Sequence, residues 1–269
     1  MSGPGDGGGL LEKALRAARD DGRKLLVPYV TGGLPGWERA VEAVAAAGAD
    51  AVEVGIPFSD PVIDGPTIQL ASEKALAAGA TPQAVVSGAG RLDTGGVPLV
   101  VMTYYNIVHL AGHDRFARSL AESGIAGAIV PDLPLDEVGE WAAAADEAGV
   151  ATVLLAAPTA TDERLAAICE RSRGWVYGVG LLGVTGERSA LARSALDIAA
   201  RLKRLTDLPV LVGIGVSTPD QAAEVAAVAD GVIVGSAVVR RLLDDGPEAA
   251  GAFVARLRAG LDAVQGYVP

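Results

Sequence analysis

A single cysteine in 269 residues cannot form an internal disulfide, which excludes a disulfide-stapled secreted fold. Cys169 also lies in a helical pattern, which suits a reducing compartment and makes the cytoplasm the expected location. No apolar run approaches the ~18 uninterrupted residues of a membrane-spanning helix. The opening MSGPGDGGG has neither a basic nor an apolar region, so residues 1–9 read as a disordered tail and not as a signal peptide. Net charge is -11 and the basic residues are scattered, so there is no stripe to track a nucleic-acid backbone. Aromatic residues make up only 4% of a chain that is 50% hydrophobic, so the core must be built from Ala, Val, Leu and Ile. That composition suits parallel strands buried beneath helices.

What the chain does have is one unit, repeated. An Ala-rich helix ends at Gly or a similar breaker and a short apolar strand follows, as in AAAGADAVEVGI, AESGIAGAIVPD, ADEAGVATVLLA and VAAVADGVIVGS. Strands are expected at 25–30, 51–56, 98–105, 126–131, 150–157, 174–180, 208–216 and 231–237. Helical spacing of apolar residues falls between them, at 37–47, 114–123, 136–148, 162–171 and 219–228. Eight strands, each followed by helix, with no Pro- or Ser-rich linker, indicate a single (β/α)8 TIM barrel over residues 10–269. Leu10–Asp20 reads as an extra amphipathic helix at the N-terminal end of the barrel. A doubly wound sheet would want GxGxxG after the first strand, and VTGGLPGW lacks it.

In such a barrel the reactive groups stand at the C-terminal strand ends and in the loops that follow. The four lysines, Lys13, Lys24, Lys74 and Lys203, fall in helices or before a strand, so none is placed for a Schiff base. His109 and His113 share what reads as one loop after strand 3, with no third ligand nearby, so a catalytic metal set is not expected. The remaining chemistry is carboxylate acid–base work. Glu53 stands between Val52 and Val54 in a strand covered on both sides, where an ionised carboxylate costs several kcal/mol unless paired. Its pKa should therefore rise toward neutrality, as a general acid–base needs, although a structural acid held by neighbouring donors fits the same position. Asp60 and Asp64 follow in a loop stiffened by Pro57, Pro61 and Pro66; Asp-Pro and Asp-Gly are also ordinary turn formers, and Thr67 could cap the next helix. An anion site is read from GIGVSTPDQ after strand 7, with Gly213, Gly215 and a Ser217 or Thr218 cap, and from VGSA after strand 8. GVTGER in the loop after strand 6 could close over the same group.

GIPFSDPVIDGPTIQ closely resembles the signature of the tryptophan synthase alpha chain family, apart from the two residues before DGP. VPYVTGG, TYYN, IVPDLP, GVTG, GIGVSTPDQ and VGSAVV extend that resemblance along almost the whole chain from about residue 10. The resemblance implies retro-aldol cleavage of indole-3-glycerol phosphate to indole and glyceraldehyde 3-phosphate. It makes Glu53 the acid–base at the ring carbon and Asp64 the acceptor of the indole N–H. Tyr177 matches an active-site tyrosine; Tyr29, Tyr104 and Ile129 would line the indole slot; Thr185, Gly186, Gly215, Gly235 and Ser236 would hold the substrate and its phosphate. The family forms an αββα complex with a beta chain that carries pyridoxal phosphate (PLP), so no cofactor is expected in this chain, and Asp60 belongs to a partner-responsive loop.

The sequence departs from the family pattern at Gly180 and Leu181, where many members carry Ser-Arg, and at GGLP in place of GDP after strand 1. The first departure leaves room for a stand-alone lyase that releases free indole, or for a catalytically weak regulatory subunit. A generic phosphosugar isomerase would fit the phosphate loops but not the apolar slot.

Overall fold

A computed structural model describes residues 9–180, 188–213 and 215–265. In chain order the elements are α1 (Leu10–Asp20), β1 (Leu25–Thr31), α2 (Trp37–Ala46), β2 (Val52–Gly55), α3 (Pro66–Ala77), α4 (Pro82–Ala89), β3 (Leu99–Met102), α5 (Tyr105–Ala111), α6 (His113–Glu122) and β4 (Gly127–Ile129). They continue with α7 (Gly139–Ala148), β5 (Ala151–Ala156), α8 (Asp162–Arg171), β6 (Val176–Val179), α9 (Arg188–Leu205), β7 (Val210–Gly213), α10 (Pro219–Ala226), β8 (Gly231–Val234), α11 (Ser236–Asp245) and α12 (Pro247–Gln265). The eight strands pair in sequence order, all parallel, and β8 pairs back with β1 to close the barrel. All eight expected strands and the extra helix α1 are therefore present. Among the described residues no helix is long and apolar enough to cross a membrane.

Closure explains the composition. Each strand is covered by helices outside and by other strands' side chains inside, so β1 and β2 are buried along their whole length. With a side-chain period of two, Leu25, Val27, Ala51, Val100, Val153, Trp175 and Leu211 point inward and fill the lower barrel as one cluster. Leu11 and Leu15 of α1 complete that cluster from below. Glu12 of α1 also accepts the backbone N–H of Gly174, at 3.3 Å, so the helix is tied to the strand ends that it covers.

Four local expectations are corrected. His109 and His113 do not lie in a loop: α5 and α6 carry them, separated by Gly112, whose φ of 84° breaks the helical run. The third strand ends at Met102, because Tyr105 already starts α5, its N–H received by the Asp132 carboxylate at 2.8 Å. The helix after the Asp64 loop begins at Pro66 with Gly65 before it, so Thr67 is no cap; its hydroxyl accepts from Arg240 at 2.7 Å. The helix expected from residue 136 starts at Gly139.

Because α1 fills the barrel's base, truncating it should weaken the fold without touching the other end. Leu15→Ala is expected to cost about 2–5 kcal/mol in a denaturant titration while kcat stays at wild type. A cost below about 0.5 kcal/mol, the range of an ordinary surface change, would mean that α1 merely rests on the barrel.

Candidate active site

Two residues above Ala51 on the same inward face, Glu53 stands where the packed lower layers end. Its Cα pairs with Tyr29 on one side and Val100 on the other. The residue is only 1% exposed, and its Oε2 finds no hydrogen-bond partner among the described residues. A carboxylate in that setting keeps its proton: burial, and then the nearby charge of Asp64, push the pKa from 4.5 up to about 8. At pH 7 the Glu53 side chain is therefore a neutral carboxylic acid.

Above Glu53 opens a cavity of about 410 Å³. Its floor and walls are apolar, made by Met102, Ile129, Leu155 and Ile233. Tyr29 and Tyr177 flank it, and Ile63 and Asp64 overhang it from the β2–α3 loop. Both tyrosines lean across a neighbouring strand at a glycine: a Cβ at residue 55 would overlap the Tyr29 hydroxyl, and one at 213 the Tyr177 hydroxyl. Gly213 thus makes room for Tyr177, a use that sequence reading assigned to close approach of an anion. Asp64 is half-buried; burial raises its pKa, and a hydrogen bond from Tyr104 pulls it partly back.

The opposite rim is formed by Gly180, Gly215, Gly235 and Ser236. Gly235 precedes the ten-residue α11 and offers no side-chain cap, so the first N–H groups of that helix and its positive dipole end face the cavity. The neighbouring α10 differs. Thr218 caps it by accepting the N–H of Gln221, and the Ser217 N–H and hydroxyl both donate to the Gln221 side-chain oxygen. Of the two C-terminal loops, the one after β8 leaves its helix N-terminus without a side-chain cap, and Gly215 of the other also borders the cavity.

The cavity therefore gathers Tyr29, Glu53, Asp64, Ile129, Tyr177, Gly215, Gly235 and Ser236. Tyr104 does not line it, but sits behind the loop with its hydroxyl 3.4 Å from the Ile63 N–H. Asp60 is exposed and bonded by the Ser59 hydroxyl at 2.6 Å. Thr185, Gly186 and Leu181 lie outside the described residues. None of the four lysines borders the cavity, and among the described residues no three or more His, Cys, Asp or Glu side chains group for a metal. His113 instead faces the Tyr105 hydroxyl at 3.1 Å and Glu140 at 3.6 Å, away from the cavity. Sequence reading missed Ile63, Met102, Leu155 and Ile233; stepping by two along each strand from the level of Glu53 would have found the last three.

Fold and site together define a (β/α)8 barrel that sets a carboxylic acid and a carboxylate over an apolar slot, with a helix N-terminus for an anion at the far end. The family model described as tryptophan synthase alpha chain matches residues 15–262. The alpha chain of Streptomyces avermitilis is 47% identical, covering 94% of this chain and 93% of its own; that of Streptomyces coelicolor is 48% identical, covering 90% and 91%. A crystal structure of tryptophan synthase from Mycobacterium tuberculosis superposes with a TM-score of 0.86 at 39% identity, covering 94% of this chain and 99% of that one. The alpha chain structure from Legionella pneumophila gives 0.83 at 30%, covering 94% and 97%. The chain belongs to the tryptophan synthase alpha chain family. It is a carbon–carbon lyase that cleaves indole-3-glycerol phosphate to indole and glyceraldehyde 3-phosphate.

The buried acid should be visible in stability. The folded chain holds the Glu53 proton up to about pH 8, whereas the unfolded chain releases it near 4.5. Folding stability from this group therefore falls as pH rises through that window. Glu53→Gln, which cannot ionise, is expected to gain melting temperature over wild type progressively between those pH values and to keep a constant lead above them. Parallel Tm–pH curves for the two proteins would contradict the raised pKa.

Proposed function

We propose that Glu53 is the acid–base of the cleavage and Asp64 its electrostatic partner. Glu53, neutral at pH 7, gives its proton to C3 of the indole ring, and the ring becomes a cationic iminium. Asp64 accepts the ring N–H and stabilises that positive charge. The Glu53 carboxylate, now ionised, takes the proton of the side-chain hydroxyl next to C3. The C3–carbon bond breaks, its electron pair returns to the ring, and indole and the aldehyde of glyceraldehyde 3-phosphate are left. The ring is its own electron sink, so the step needs neither lysine nor metal. The observation that carries this reading is the 1%-exposed Glu53 with an unpartnered oxygen beside Asp64 at the head of an apolar slot.

Tyr29, Ile129 and Tyr177 hold the indole ring, and the anion seat at Gly215, Gly235 and Ser236 holds the phosphate. Thr185 and Gly186 close over it, as the family pattern implies. The chain works with a beta chain in an αββα complex, in the cytoplasm, and Asp60 faces that partner. In favour of a partner, the loop that carries Asp60 presents two adjacent apolar side chains to solvent, Val62 at 72% exposure and Ile63 at 43%. PLP belongs to the beta chain: its Schiff base requires a lysine, and none borders this cavity.

With indole-3-glycerol phosphate as substrate, kcat/KM should fall on a basic limb near pH 8, the value that burial imposes on Glu53 in the free enzyme. Glu53→Gln should lose about 10²-fold or more in kcat, as removal of a general acid–base does. Retention of activity within about threefold would overturn the assignment, since a general acid–base normally contributes far more than that. Added beta chain is expected to raise the rate of the wild type; no change on adding it would favour a stand-alone lyase.

A further inference from the structure

Asp64 has a physical reason to leave the cavity. It is half-buried at the cavity, burial raises its pKa, and outward movement of its loop would return it to water. The loop is otherwise open to solvent, with Ser59, Asp60 and Val62 exposed. One side chain touches it at both ends. Tyr104, 3% exposed at the end of β3, stacks on Phe58 with ring centroids 5.0 Å apart and planes 25° apart. Its hydroxyl oxygen accepts the N–H of Ile63 at 3.4 Å and, as a donor facing the Asp64 carboxylate, favours the charged form of that group. A phenol is the one side chain that supplies an aromatic face, an acceptor and a donor from a rigid frame, and β3 anchors that frame to the barrel.

We infer that Tyr104 is a positioning residue: it clamps the 58–64 loop down on the barrel so that Asp64 points at the substrate's ring nitrogen. The Phe58 stack fixes where the loop leaves β2, and the hydroxyl fixes where it returns to α3. The Gln69 side chain, which donates to the Asp64 carbonyl at 2.8 Å, holds the backbone on the α3 side but leaves the carboxylate free to turn. Tyr104 orients the carboxylate itself. This differs from a wall of the indole slot, since Tyr104 does not border the cavity, and it rests on the reading of Asp64 as the N–H acceptor.

Steady-state cleavage of indole-3-glycerol phosphate by the full chain tests the clamp, with Tyr104→Phe, Phe58→Leu and Asp64→Asn compared across pH. Tyr104→Phe keeps the ring stack and removes only the hydroxyl. It is expected to lower kcat about tenfold, the scale of one hydrogen bond to a charged group, and to leave KM within about twofold of wild type. The acidic limb of its kcat profile should move to higher pH, because the Asp64 carboxylate loses a hydrogen bond to its charged form. Phe58→Leu, which removes the other half of the clamp, should lower kcat in the same sense with the fold intact. If Asp64→Asn is inactive while Tyr104→Phe keeps the wild-type kcat and acidic limb, the clamp is wrong and the role of Asp64 stands. A Tyr104→Phe loss confined to KM makes Tyr104 a slot wall and also overturns the clamp. Full turnover by Asp64→Asn removes the reading beneath it.

Discussion

Everything at the top of this barrel follows from one desolvated carboxyl group. A (β/α)8 barrel has no water inside its strands, and an inward position there is normally apolar, as Ala51 and Val100 are in the layer below. Glu53 breaks that rule at the first level above the packed core, with one oxygen left without a hydrogen-bond partner among the described residues. The protein tolerates it by keeping it neutral, and a neutral carboxylic acid at pH 7 is the reagent that protonation of a ring carbon requires. The cost in stability and the capacity for chemistry are one property. The inward residues of the strands below it, Val100, Val153, Trp175 and Leu211 among them, supply the dry floor that the property depends on.

The rest of the cavity is arranged by charge. At one end Asp64 overhangs Glu53, and its charge adds to the reluctance of the buried Glu53 to ionise. At the other end the uncapped N-terminus of α11 offers N–H groups and a positive dipole end. Between them lie only apolar side chains and two phenols. In the proposed orientation the substrate matches that polarity, with its cation-forming ring at Asp64, its phosphate at α11 and its scissile bond near Glu53.

Much of this was legible in the sequence, for physical reasons. Parallel strands buried on both faces must be short apolar runs, and the helices between them end at small breakers, so all eight strands and α1 could be located. Glu53 stood out because a carboxylate in such a run is costly. Other features depend on tertiary contacts that no local pattern encodes. Gly213 reads as an anion glycine, yet it makes room for Tyr177 from the neighbouring strand, as Gly55 does for Tyr29. Tyr104 lies two residues past the end of β3, where α5 is about to begin, so its place behind the Asp64 loop appears only when β2 and β3 lie side by side. The loops after β7 and β8 look equally suited to phosphate in sequence; the Thr218 cap engages one and leaves the other open. His109 and His113 read as residues of one loop after strand 3, whereas α5 and α6 carry them and Gly112 breaks the run between.

The central claim is that burial, sharpened by Asp64, holds Glu53 protonated at neutral pH. Its most direct test is titration of the Glu53 carboxyl carbon by NMR in the substrate-free protein, with the resonance assigned by its absence in Glu53→Gln. The account predicts a midpoint near the 8 that burial imposes, shifted downward in Asp64→Asn once the neighbouring charge is gone. A midpoint at the ordinary 4.5, unmoved by that substitution, would contradict it.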